Sequence, residues 1–291
     1  MADWEGKSRG NLLGYKIFYA VLKTLGLLPA YGLLFFISLY YLFFVRDARR
    51  YISEFYQIVF GWRGLKAFSA CRKNFYSLGQ SLIDKFAIFS GMKGKFTYHF
   101  DGIHHLEKMA DETGGILIGA HLGNWDVAGH FLNDFKIPFN IVMFEGEIEQ
   151  IKNFQDEKML DRKVNIIPVS QDLSHVFKIS AAIQRKEFVC FHGDRFVEGS
   201  KYSEEIFFGR MARFAHGAFH IACKFKVPVT FVYAMREPGF HYHLYASEPF
   251  VPEEGVQALV KKYARQLEEK VKQYPYQWYN YYSFWKNNKE G

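Results

Sequence analysis

His121-Leu122-Gly123-Asn124-Trp125-Asp126 places a histidine and an aspartate five positions apart, with a glycine and an asparagine between them. An imidazole takes up a proton near neutral pH. A carboxylate at its second nitrogen fixes the tautomer and stabilises the imidazolium that forms. The pair therefore has the parts of a general base and its orienting group. Gly123 and Asn124 stand where a helix begins, so their backbone N–H groups are expected to meet a developing oxyanion. A second polar group, Gly193-Asp194-Arg195, follows another apolar run. Arg195 is permanently charged and carries a planar fork suited to phosphate or carboxylate. If both groups face one cleft, the chain holds a base, a carboxylate and a fixed cation together. Each also has a plain structural reading: a His–Asp pair is commonly a structural hydrogen bond, and Asp194-Arg195 alone reads as a strand-end ion pair.

Strand ends must position these residues. Gly114–Gly119 is small, branched and uncharged, the pattern of a strand buried on both faces. It breaks into a turn carrying His121, and Val127–Leu132 continues as a helix. Further strands are expected at Lys95–Phe100, Phe139–Phe144, Val164–Val169, Glu187–Phe191, Glu205–Phe208, Val227–Ala234 and His241–Ala246. The third of these eight ends in Glu145-Gly146-Glu147. Helices are expected at Gly64–Ser90, Ile103–Asp111, Gln150–Asp161, Leu173–Arg185, His216–Phe225 and Glu253–Gln273, the last stopped by Pro275. Strands alternating with helices predict an α/β fold: a mixed, mostly parallel sheet covered by helices on both faces. In such sheets, sites form at the carboxyl ends of strands. There is no internal repeat. The tail Tyr274–Trp285 is intensely aromatic but lacks interleaved basic residues, which favours packing over the sheet or against lipid rather than stacking on nucleic acid.

Thr24–Val45 contains no charged residue and is long enough to cross a bilayer. Pro29 and Gly32 interrupt it, so a hairpin lying in one leaflet is an alternative to a span. A core helix is the soluble alternative. Arg46–Phe60 alternates basic and aromatic residues, a composition suited to the headgroup region. The chain reads as an anchor with interfacial helices over 1–60 and a catalytic domain over 61–291. The net charge of +7 fits an anionic partner. Cys71, Cys190 and Cys223 form no C-x-x-C pair, which argues against a disulfide scaffold or thiolate zinc site. No H-E-x-x-H spacing occurs, although His216 and His220 lie one helical turn apart, so no metal is expected.

The full HLGNWD stretch resembles the H-x4-D motif of the lysophospholipid acyltransferase superfamily. The closer resemblance is to its lipid A biosynthesis (late) acyltransferase branch. Four further features are similar: the N-terminal apolar segment, Gly193-Asp194-Arg195, Phe208-Gly209 followed by Phe214–Ala222, and the aromatic tail. The chain departs from the pattern at Ala215-His216-Gly217, where relatives usually carry a proline turn. The resemblance implies a glycerol-3-phosphate acyltransferase-like fold with an N-terminal membrane anchor. It implies a bacterial inner-membrane enzyme with its catalytic domain on the cytoplasmic side. Such an enzyme moves a fatty acyl chain from acyl-ACP or acyl-CoA, with no other cofactor, to a hydroxyl of a lipid or glycolipid. Lipid A-type molecules, amino-acid lipids and pigments are possible acceptors. The expected catalytic residues are His121 and Asp126. The expected substrate-binding residues are Gly123, Asn124, Trp125, Glu145, Asp194 and Arg195. A lipid hydrolase using the same dyad is the competing enzyme, disfavoured by the lack of a G-x-S-x-G elbow. A non-catalytic membrane-surface module is the competing binding reading.

Overall fold

The branched, uncharged run expected to be a buried strand is one: β2, Gly115–Gly119, is buried along its whole length. The computed structural model describes residues 20–131, 137–144, 164–170, 172–195 and 199–285. In chain order the helices are α1 (Leu27–Phe44), α2 (Arg46–Phe60), α3 (Gly64–Ala87), α4 (Ile103–Glu112), α5 (Trp125–Phe131), α6 (Ser174–Gln184), α7 (His216–Phe225) and α8 (Val256–Gln273). The strands are β1 (Thr97–Asp101), β2, β3 (Phe139–Phe144), β4 (Val164–Val169), β5 (Phe188–His192), β6 (Tyr202–Phe207), β7 (Arg210–Ala215), β8 (Val229–Glu237) and β9 (His241–Ala246). The helix expected over Gln150–Asp161 lies outside the described residues.

Seven strands form one sheet in the order β1-β9-β8-β2-β5-β3-β4. Neighbours run parallel except at β8–β9, which pair antiparallel. The expected mixed, mostly parallel sheet is therefore present. β2 lies between β8 and β5, so the strand that leads to His121 is internal and apolar on both faces. β6 and β7 form a separate hairpin that the spacing did not announce. Phe208 and Gly209 turn it, both with positive φ, as a type I′ hairpin loop requires.

α1 buries one row, including Ala30, Tyr31, Leu34 and Leu42. Leu34 fits only because Gly79 of α3 has no side chain: a Cβ there would lie 2.1 Å from the leucine Cδ1. The opposite row, with Leu28, Phe35, Phe36, Tyr40, Phe43 and Phe44, is exposed. α1 is long and apolar enough to cross a membrane and is compatible with membrane association. α2 packs one face on the catalytic core. Its apolar stripe Ala48, Ile52, Phe55 and Tyr56 is buried in the main core, and Phe55 lies 5.0 Å from Trp278 of the aromatic tail. The basic residues alternate with that stripe because the helix is amphipathic, with one face toward protein. α3 ends in a π-helical turn, Ile88–Met92, where Gly91 takes positive φ.

Candidate active site

Parallel pairing sets the central contact. Gly119 of β2 stands opposite His192 of β5. Two residues beyond each, His121 and Asp194 leave adjacent strand ends side by side. His121 Nδ1 lies 2.8 Å from Asp194 Oδ1, and the His121 backbone N–H reaches both carboxylate oxygens at 3.1 and 3.0 Å. Trp278 donates its indole N–H to Asp194 Oδ2 at 3.1 Å. The Tyr282 hydroxyl donates to the Asp194 carbonyl at 2.9 Å. Burial by itself would raise the Asp194 carboxyl. His121, through its charge and its hydrogen bond, together with the charges of Arg195 and His192, outweighs burial and holds the carboxyl well below the ordinary carboxylate range. An ionised carboxylate only accepts, so Nδ1 is the donor and the neutral ring carries its lone pair on Nε2.

Asp126 sits in the first turn of α5, where a negative charge suits the helix N-terminus. Its carboxylate is paired with Lys85 of α3 at 2.9 Å, not with His121. The structure thus brings His121 together with the aspartate across the sheet rather than the one along the chain. Spacing alone does not distinguish the two, because the register between β2 and β5 decides it.

The expected oxyanion donors are engaged elsewhere. Gly123 N–H donates to Gln277 O at 2.9 Å and Asn124 N–H to Ala234 O at 2.7 Å. Gly123 has φ +75°, and a Cβ would lie 2.1 Å from the Ala234 carbonyl oxygen, so this turn accepts only glycine. These contacts dock the motif on β8 and on the tail, and both N–H groups are bonded within the protein. The Asn124 amide donates to Ser81 O at 2.9 Å and to the Tyr242 hydroxyl at 3.1 Å. Tyr242 donates on to the fully buried Asp84, which also holds Arg236 and Tyr31 of α1. Arg195 donates through Nη2 to the Tyr279 carbonyl. Glu145 lies outside the described residues.

Trp125 and His192 link this centre to an apolar space. His192 lies 4.4 Å from the His121 ring and 4.8 Å from the Trp125 ring, centroid to centroid. Both line a cavity of about 100 Å³, walled also by Leu117, Gly129, Phe139 and Val232. Cys190 lines it too, and burial pushes its thiol up to about 12, so it is no nucleophile near neutral pH. A proton-accepting imidazole beside an apolar cavity fits the transfer of a group with a hydrocarbon tail.

Residues 17–287 match the family model of bacterial lipid A biosynthesis acyltransferases. The chain belongs to this family. The assignment expected from HLGNWD is therefore shown, and the protein is an acyltransferase of lipid biosynthesis, with an acyl donor and a lipid acceptor as its general partners. No curated protein sequence matches the chain. Among solved structures it is similar to the 1-acyl-sn-glycerophosphate (LPA) acyltransferase PlsC from Thermotoga maritima, with 15% identity, 83% of this chain and 95% of that chain covered, and a TM-score of 0.39.

In this member of the family the residues that sequence reading missed are on the tail and α3. Trp278 and Tyr282 donate to Asp194, and the Tyr279 carbonyl accepts from Arg195. Asn74 of α3 in turn holds the tail, donating to the Tyr276 and Trp278 carbonyls and accepting from Tyr281. A run of aromatics after the last helix carries no signal for this role beyond its indole and phenol donors.

Proposed function

We propose that this acyltransferase moves a fatty acyl chain from a thioester donor to a hydroxyl of a lipid or glycolipid of the lipid A class, with His121 as general base. The observation that carries the reading is the 2.8 Å contact between His121 Nδ1 and a buried, ionised Asp194, next to an apolar cavity. The acceptor hydroxyl gives its proton to His121 Nε2 as its oxygen attacks the thioester carbonyl. Asp194 stabilises the imidazolium while the tetrahedral intermediate stands. The C–S bond then breaks, and His121 returns the proton to the departing thiolate. General-base catalysis of this kind supplies roughly 10²–10⁴-fold. The cavity beyond Trp125 and His192 takes the acyl chain. Asp126, paired with Lys85, braces the start of α5 against α3.

The donor is an acyl carrier protein or coenzyme A thioester, and no metal or further cofactor enters the reaction. The net charge of +7 favours an acidic carrier. α1 seats the protein on the bacterial inner membrane with residues 61–291 as the cytoplasmic catalytic unit, so that acceptor and product stay in the lipid phase.

The test is transfer by the purified full chain from each thioester to defined acceptors, with products read by mass spectrometry. His121→Ala should abolish transfer and leave the fold intact. Persistent transfer in that variant, or release of free fatty acid with no acylated acceptor, would overturn the reading.

A further inference from the structure

The outer strands of the sheet gather three ligand-type side chains that take no part in acyl transfer. β1 and β9 run parallel with His99 opposite His243. Alternate residues on a strand share a face, which brings Asp101 beside His99. His99 Nε2 lies 3.1 Å from Asp101 Oδ1, and His243 Nε2 lies 2.9 Å from Asp101 Oδ2. The three ligand atoms lie within 4.8 Å of one another.

Tyr274 donates its hydroxyl proton to Glu237 Oε1 at 2.6 Å. The 2.8 Å contact between Tyr274 and Tyr245 must then use the Tyr245 proton. Toward His243 Nδ1, 2.8 Å away, the Tyr245 oxygen is therefore the acceptor. A neutral His243 held this way carries its hydrogen on Nδ1 and its lone pair on Nε2. That lone pair faces a carboxylate oxygen at 2.9 Å. Two acceptors this close need a positive charge between them. A metal ion supplies it and satisfies His99 as well. Metal-binding histidines characteristically donate the other ring N–H to such an outer partner, which fixes the ring. Here the partner is a relay of Tyr245, Tyr274 and Glu237.

We propose that His99, Asp101 and His243 form a divalent metal site of the zinc class on the outer strands of the sheet. Two imidazole nitrogens and one carboxylate oxygen, with solvent in the fourth position, suit Zn²⁺. Zinc bonds of this kind set ligand atoms roughly 3.4 Å apart. His99, with a side chain 63% exposed, turns freely enough to meet that spacing. The ion fastens the edge strand β1 to β9 and stands outside the acyl-transfer reaction. Sequence spacing hides the site, because the third ligand arrives from a strand far along the chain.

The test uses the full chain in detergent, with any affinity tag removed and metal stripped. Zinc chloride is titrated calorimetrically, and Co²⁺ is added as an absorption probe. Wild type should show saturable binding of one ion, a visible Co²⁺ band of low-symmetry coordination and a raised Tm. Asp101→Asn and His243→Gln should each lose all three signals, while His216→Gln should keep them. His99→Gln, altering the most exposed ligand, serves if circular dichroism shows His243→Gln misfolded. Absence of saturable zinc binding by wild type, or unchanged binding in the ligand variants, overturns the proposal.

Discussion

Asp194→Asn is the substitution that separates the two aspartates as partners of His121. The carboxylate accepts from His121 Nδ1, from the His121 backbone N–H and from the Trp278 indole, and its side chain is 1% exposed. An asparagine keeps one acceptor oxygen. If the oxygen faces His121, the amide hydrogens meet the indole N–H; if it faces Trp278, they meet the imidazole. One arrangement loses the charge that stabilises the imidazolium, and the other also favours the wrong tautomer. The turnover number should fall by about 10²–10⁴-fold, or roughly 3–5 kcal/mol of activation free energy. The unmatched donor should cost roughly 1–3 kcal/mol of stability. Single-turnover acyl transfer and urea unfolding measure the two effects separately. Asp126→Asn breaks only the partly buried pair with Lys85 and should cost far less activity. An Asp194→Asn protein that folds and turns over within a few-fold of wild type refutes the assignment. So does an Asp126→Asn protein that loses as much as Asp194→Asn.

Three further outcomes follow from the same geometry. Gly129 of α5 lines the apolar cavity and has open space where a Cβ would stand, so Gly129→Leu should shift transfer toward shorter acyl chains without loss of Tm, read by competition among donors of different length. The Asp194 carboxyl is held below its unfolded value, so its stabilising contribution is complete above about pH 4 and is lost as pH falls toward the folded value. Acid-unfolding curves should show wild type losing stability in that range and Asp194→Asn losing less. Asp84→Asn leaves Arg236 charged and half-partnered in the interior, and should cost about 3–5 kcal/mol in urea unfolding. A change under 1 kcal/mol there would show that the pair is not buried in solution.

Some of this was legible in the residues, and the physical reason differs from case to case. β2 announced itself because a strand buried on both faces must be uncharged and branched. HLGNWD announced the family because its glycine, asparagine and acidic residue carry separate steric and polar requirements. Asp194 was singled out as a strand-end carboxylate, but its contact with His121 depends on the β2–β5 register, which local sequence does not encode. The Gly123 and Asn124 N–H groups looked available because their acceptors, Gln277 and Ala234, are remote in sequence. The tail read as packing material because hydrogen bonds from indole and phenol groups leave no periodic trace. The partner of the α2 apolar stripe was hidden because it is Trp278, more than two hundred residues along the chain.

The place of β2 in the sheet also governs how the molecule comes together. Its neighbours are β5 and β8, so Ile116 must find Val189 on one side and Val229 on the other. Both pairings join segments far apart in the chain, and such non-local contacts slow folding because loop closure precedes any reward. Until β5 and β8 arrive, an uncharged strand with two bare edges stays open to wrong partners. Recovery of catalytic activity on refolding should therefore lag behind helix formation, and dilution should raise the yield of active enzyme.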